Sequence, residues 1–343
     1  MPMKPSEEVA LPLDALSDAE AASNVAETID ISTQLDRVIT ALLKVGTANP
    51  VEELQKLDSL YAESGPSAGA FVDTIARRLF QQSGVFDNLN FQSSLLAGGS
   101  SFFGAVIRRM GELADAEPLL AETAKLPVQI RLVEHYRRSG KGDEMRKYAE
   151  QVTAELKARV EANDKLALGQ QAKVEYERSM HAFNEGKFEE AIAIGEQSIE
   201  LCERAEDLYG VLAARGNTSG LFRYSWAKAL GAGHADYTEL LEEGRPVLLD
   251  DLETADEEIN RAQTGTPARN NFERVESNNA MHLMQIAGLQ NDVESARRMM
   301  AVLKANPIYL STTTIAKGGA TAVKGDAYTK ILDDLEAATP EKA

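Results

Sequence analysis

The chain has 343 residues, 43% hydrophobic and 26% charged, long enough to bury a sizeable core and close enough to globular averages to exclude wholesale disorder. Its formal net charge of −18 is repelled by phosphate, so no nucleic-acid partner is expected. A single cysteine, Cys202, excludes an intrachain disulfide and a cysteine-rich zinc site.

Aromatic residues are only 6% of the chain, and Ala, Leu, Glu, Gln and Arg dominate in their place, a composition that favours helix. No stretch approaches the ~20 apolar residues of a membrane span, and Met1–Glu8 lacks the apolar region of a secretory signal. The expectation is a cytoplasmic protein with no membrane insertion. Residues 1–30 carry seven acids and one lysine and read as a mobile acidic arm.

From Ser32 the apolar residues fall at helical steps. Leu35, Val38, Ile39, Leu42 and Leu43 form one face; Val51, Leu54, Leu57, Leu60 and Tyr61 form the next; Phe71, Ile75, Leu79 and Phe80 form a third. Residues 85–104 are less regular and contain the Gly98-Gly99-Ser100-Ser101 break. Helices are predicted near 102–114, 117–125, 127–139, 142–161, 166–185, 188–205, 220–230, 236–243, 246–263, 269–289 and 292–305. Residues 308–325 read as an extended segment, and 326–338 as a last helix. Consecutive helices joined by short loops pack as antiparallel hairpins.

The run Phe183-Asn184-Glu185-Gly186-Lys187-Phe188-Glu189-Glu190-Ala191-Ile192, continued by Ser198-Ile199-Glu200-Leu201, is the most specific stretch. It resembles the turn and second helix of a tetratricopeptide repeat. Gly186 can close the first helix in the left-handed conformation, and Ala191 is small enough for two helix axes to cross closely. Weaker copies run from Tyr136 to Gly140 with Met145, Ala149 and Val152, and from Gln290-Asn291 to Asn306-Pro307. The first turn-to-turn spacing exceeds the family's 34-residue period, and the second is close to three periods, with room for two divergent repeats around Trp226 and Leu248. The resemblance implies an α-solenoid that recognises protein on a face lined by first helices. Carried onto this sequence, that face comprises Ile130, Glu134, Arg137 and Arg138 before the first turn. Before the second it comprises Lys173, Tyr176, Met180, Phe183 and Asn184. Tyr176, Met180 and Phe183 have an equal claim to be core, since their spacing is that of a buried helix face.

Chemistry is sparse. Gly65-Pro66-Ser67-Ala68-Gly69 fits the Gly-x-Ser-x-Gly elbow, but that motif needs a strand before it, and a helix–helix linker is the simpler account. His135, His181, His234 and His282 share no zinc-site spacing. Cys202 reads as a buried inert thiol. The acidic run Asp250, Asp251, Glu253, Asp256, Glu257 and Glu258 reads as a solvated helix face. The arginine pairs Arg77-Arg78, Arg108-Arg109 and Arg137-Arg138 could line up to capture carboxylates, although pairing with neighbouring glutamates explains them as well.

The expected architecture is all-α: a mobile arm (1–30), an N-terminal helical portion (31–115), TPR-like helical hairpins stacked as an α-solenoid (116–306), and an extended segment with a C-terminal helix (307–343). The expected function is a non-catalytic adaptor or scaffold for a protein or peptide partner, with no cofactor and no metal. The alternatives are a structural subunit of a homo- or hetero-oligomer, and an all-α enzyme or regulatory domain with a dispersed site.

Overall fold

The computed structural model describes residues 58–59, 61–62, 68–81, 101–116, 118–264, 266–307 and 322–338. Among them the regular structure is entirely helical, as composition and periodicity predict. The acidic arm, the helix predicted from Ser32 and the irregular stretch up to Ser100 lie outside the described residues. The chain divides into two compact units, Met1–Lys125 and Leu126–Ala343.

In the first unit, α1 (Ala68–Gln81) packs against α2 (Ser101–Ala116). Ile75, Ala76, Val106, Ile107, Met110 and Leu113 are buried in it. Asp73 ties the two helices together by accepting from Arg109 of α2 at 2.7 Å, while Arg77 of its own helix donates to it at 2.9 Å. Asp58 caps α2 from 44 residues away, accepting from the Phe102 N–H at 2.9 Å. Ala68 and Gly69 of the elbow pattern open α1; the first three residues of that pattern lie outside the described residues.

The second unit takes up the end of α3 (Pro118–Arg138), followed by α4 (Gly142–Glu161), α5 (Lys165–Asn184) and α6 (Phe188–Ala205). Sequence predicts two helices over 117–139. One forms, with Pro127 inside it, because the buried residues Val128, Ile130, Leu132 and Val133 hold helical register across the proline. Five of the turns between helices close in much the same way. Gly186 adopts φ 75° and its N–H donates to the Phe183 carbonyl, while the Lys187 N–H donates to the Ala182 carbonyl, both at 2.9 Å. The same wrap recurs around Gly140, Asn163, Glu206 and Asn291, all at positive φ. At three of these the next residue is an aspartate that caps the following helix: Asp164, Asp207 and Asp292. Asp292 is held down to about 2 by the Ser295 N–H and by Arg245. Two residues thus end one helix and start the next. Ala191 is fully buried, and the Ser198 hydroxyl donates to the Ala172 carbonyl at 2.9 Å, tying α6 to α5.

The largest departure from the sequence reading comes next. A helix is predicted only from residue 220. Instead α7 (Leu208–Arg215), a π-helical segment (Gly216–Phe222) and α8 (Arg223–Leu230) follow without a break. They pair with a single helix, α9 (Asp236–Arg261), which runs through Pro246. One long hairpin therefore stands where two shorter repeats are expected. The π segment is gripped on three sides. A Cβ at Gly195 of α6 would overlap Thr218, and a Cβ at Gly244 of α9 would overlap the Ser219 carbonyl. On the third side, α10 (Pro267–Gln290) lays His282 against Gly220. Helix α11 (Val293–Ala305) and α12 (Ala322–Ala338), which begins earlier than predicted, complete the unit. Its core is a succession of clusters shared by consecutive helices. Val133, Met145, Val152 and Val174 join α3, α4 and α5, whereas Ala182, Ala191, Ile192 and Phe222 join α5, α6 and the π segment. Leu241, Leu248, Met284, Met299 and Leu303 join α9, α10 and α11.

Glycine substitutions on the two sides of this packing should have opposite signs. Gly244→Ala is expected to lower stability by about 1–3 kcal/mol, because backbone must move to admit the methyl group. Gly169→Ala in α5 meets only Ala205 at 4.0 Å and is expected to raise stability by about 0.5–1 kcal/mol. Urea unfolding of both variants checks the pair.

Candidate functional site

The first helices of the successive hairpins share a polar network. On α3, Glu134 accepts from Arg131 at 3.1 Å and pairs with Arg138 at 2.8 Å. One turn on, Arg137 donates to Glu177 of α5, and both side chains are largely buried. Burial pushes the Glu177 carboxyl above its ordinary range while the Arg137 guanidinium draws it back. Beside Glu177, the Tyr176 hydroxyl accepts from the Asn217 amide of the π segment at 2.7 Å, and burial raises the phenol. Arg137, Glu177, Tyr176 and Asn217 thus connect α3, α5 and the π segment.

The residues expected on this face divide into three groups. Arg138, Lys173 and Asn184 are exposed. Glu134, Arg137 and Tyr176 belong to the network. Ile130 is 6% exposed and packs with Val133 and Met145 in the core, so its expected place on an open face is corrected. Met180 and Phe183 are half-buried, with Phe183 stacked on Phe222 at 5.0 Å and set edge-on to Phe188 at 5.8 Å. Of the arginine pairs, Arg77 and Arg109 pair with Asp73, Arg137 with Glu177 and Arg138 with Glu134.

An open groove of about 440 Å³ lies between α4, α5 and α6. Three of its cations pair with neighbouring acids: Arg146 with Asp143 at 2.6 Å, Arg178 with Glu175 at 3.0 Å, Lys187 with Glu185 at 2.8 Å. Cys202 is buried, and desolvation pushes its thiol up to about 12, so it stays protonated at neutral pH.

Two buried polar residues escape sequence reasoning. Asp251 is fully buried on α9, in the apolar register of Leu248 and Ala255. Neither carboxylate oxygen has a hydrogen-bond partner, and Arg215 stands 3.5 Å away. The expectation that this acidic run is a solvated face therefore fails at Asp251, although Asp250, Glu253, Asp256, Glu257 and Glu258 are exposed or half-exposed. Asn279 on α10 is also fully buried, in the register of Val275 and Leu283, with both amide atoms unpartnered. Register was the available signal for both: each falls where the helix buries its apolar face.

Comparison with protein-family models, with curated proteins and with solved structures finds no match for the chain. No helix among the described residues is long and apolar enough to cross a membrane.

Burial raises the Asp251 carboxyl to about 6, against only partial relief from Arg215. The folded chain therefore holds a proton there that the unfolded chain releases near pH 4. Stability falls as pH rises through that interval, and the loss persists above it. Asp251→Asn removes the titration. The stability of Asp251→Asn relative to the parent is expected to rise by up to about 3 kcal/mol between about pH 4 and 7 and then level off. Denaturant titrations across that range check it; a gap that does not change with pH contradicts the assignment.

Proposed function

We propose that the second unit is a TPR-like α-solenoid and that the chain is a non-catalytic adaptor, binding a protein segment on the face made by its first helices. The observation that carries the reading is the polar network of Glu134, Arg137, Tyr176, Glu177 and Asn217, which runs across three successive first helices. A succession of helical hairpins with shared core clusters and like turns supports the solenoid. The hairpins are longer than the family's 34-residue unit, so the likeness is one of construction and not of period. Arg138, Lys173 and Asn184 are exposed on the same helices and offer donors to backbone carbonyls or carboxylates of a partner. Half-buried Met180 and Phe183 offer apolar area beside them.

The test is capture of partners from the native source, identification by mass spectrometry, and measurement of Kd with the purified partner. Lys173→Glu reverses an exposed charge on the first-helix face. It is expected to weaken binding by about tenfold or more with little change in melting temperature. Unchanged affinity in this folded variant would rule out the face.

A further inference from the structure

Where α7 lies against α9 and α10 the core is thin. It consists of Leu212 of α7, Ala255 of α9 and Val275 of α10, with Tyr209 set edge-on to Phe272 at its margin. The cluster that joins α9 to α10 and α11 is far larger. A gap of about 20 Å³, room for about one water, separates α7 and the start of the π segment from α10. Two fully buried polar side chains stand at this junction: Asn279 beside the gap, and Asp251 one turn before Ala255 on α9.

Arg215 ends α7 and faces two acids. Its Nη2 donates to Glu203 of α6 at 2.9 Å, while its Nη1 lies 3.5 Å from Asp251 Oδ1 without a hydrogen bond. The charges that bear on Asp251 are thus Arg215, which is shared with a half-exposed glutamate, and Asp250 of its own helix. Arg223 of α8 pairs with Glu243 and Arg269 of α10 with Glu273. Arg274 and His282 of α10 border the gap, and the π segment has no charged side chain. An ionised carboxylate in this place has lost water and gained no hydrogen bond, so ionisation favours any state in which water reaches it. The thin seam beside it is where opening sacrifices the least buried apolar contact.

We propose that the contact of α7 with α9 and α10 is a proton-controlled joint, closed while Asp251 carries a proton and opening more often once it is ionised. On its other side α7 keeps its contact with α6, where Val211 packs beside Cys202. Helices that part keep their own backbone hydrogen bonds, so the opening is read by access to side chains and not by amide exchange.

Val275→Cys and Val152→Cys, each in a Cys202→Ala chain, place one thiol in the joint and one in the buried cluster of α3, α4 and α5. Dithiodipyridine, which reacts with thiols in mild acid as well as at neutral pH, reports how often each is uncovered. At neutral pH the thiol of Val275→Cys is expected to react about tenfold or more faster than that of Val152→Cys. Its rate, divided by that of the same chain carrying Asp251→Asn, is expected to climb by up to about a hundredfold between about pH 4 and 7 and then level off, because the closed form holds the carboxyl at about 6. Ala255→Cys repeats the reading from α9 if Val275→Cys does not fold. Equal rates at the two positions would mean that the unit opens only as a whole, and a ratio that does not change with pH would remove Asp251 as the control; either result overturns the joint. Neither bears on the first-helix face, which the Lys173 variant tests separately.

Discussion

The second unit depends on how closely three helices approach the π segment. Thr218 and the Ser219 carbonyl press against α6 and α9 at points where only glycine leaves room, Gly195 and Gly244, and α10 closes the third side with His282 against Gly220. A π turn widens the helix and displaces one residue's worth of backbone. In isolation Gly-Asn-Thr-Ser-Gly would not pay the entropy of forming it. Its stability comes from the neighbours, and the neighbours keep their spacing because of it: Phe222 is fully buried at the centre of the cluster that joins α5 and α6 to this rod.

That contact also places the polar network. Asn217 stands in the π segment and reaches Tyr176 on α5, and the adjacent Glu177 is bound by Arg137 on α3. A buried ion pair adds little net stability, since desolvation offsets most of the attraction. It does oppose sliding: if α3 shifted along α5, a carboxylate would be left buried and alone. The network therefore sets the register of α3, α5 and the π segment.

Local signals were legible where local physics decides. Gly140, Gly186 and Asn291 were readable as turns because glycine and asparagine tolerate positive φ. Glu206 carries no such signal and adopts φ 59° because Asp207 and the core on either side require the turn. The bounds of α4 and α6 follow from apolar periodicity and match. Sequence assigns no helix to residues 208–219, yet they form a helix and a π segment packed on α6, α9 and α10. Pro127 and Pro246 open predicted helices at 127–139 and 246–263, but each lies inside one continuous helix; buried residues in register on both sides outweigh one missing hydrogen bond. In the candidate site, Tyr176 and Phe183 were equally readable as core or as groove, and they are partly each: half-buried, with partners on the next hairpin. The room for the Asn279 side chain depends on Gly216, 63 positions earlier in the chain, and no local pattern encodes that pairing.

The central claim is that the π segment is held by the whole unit and is not a loosely wound turn. Native-state hydrogen exchange of the backbone amides from Gly216 to Phe222 tests it most directly. The account predicts that these amides open with the same free energy as the buried amides of α6, α9 and α10, in one cooperative step. Fast exchange confined to 216–222, with the surrounding helices still protected, would contradict it.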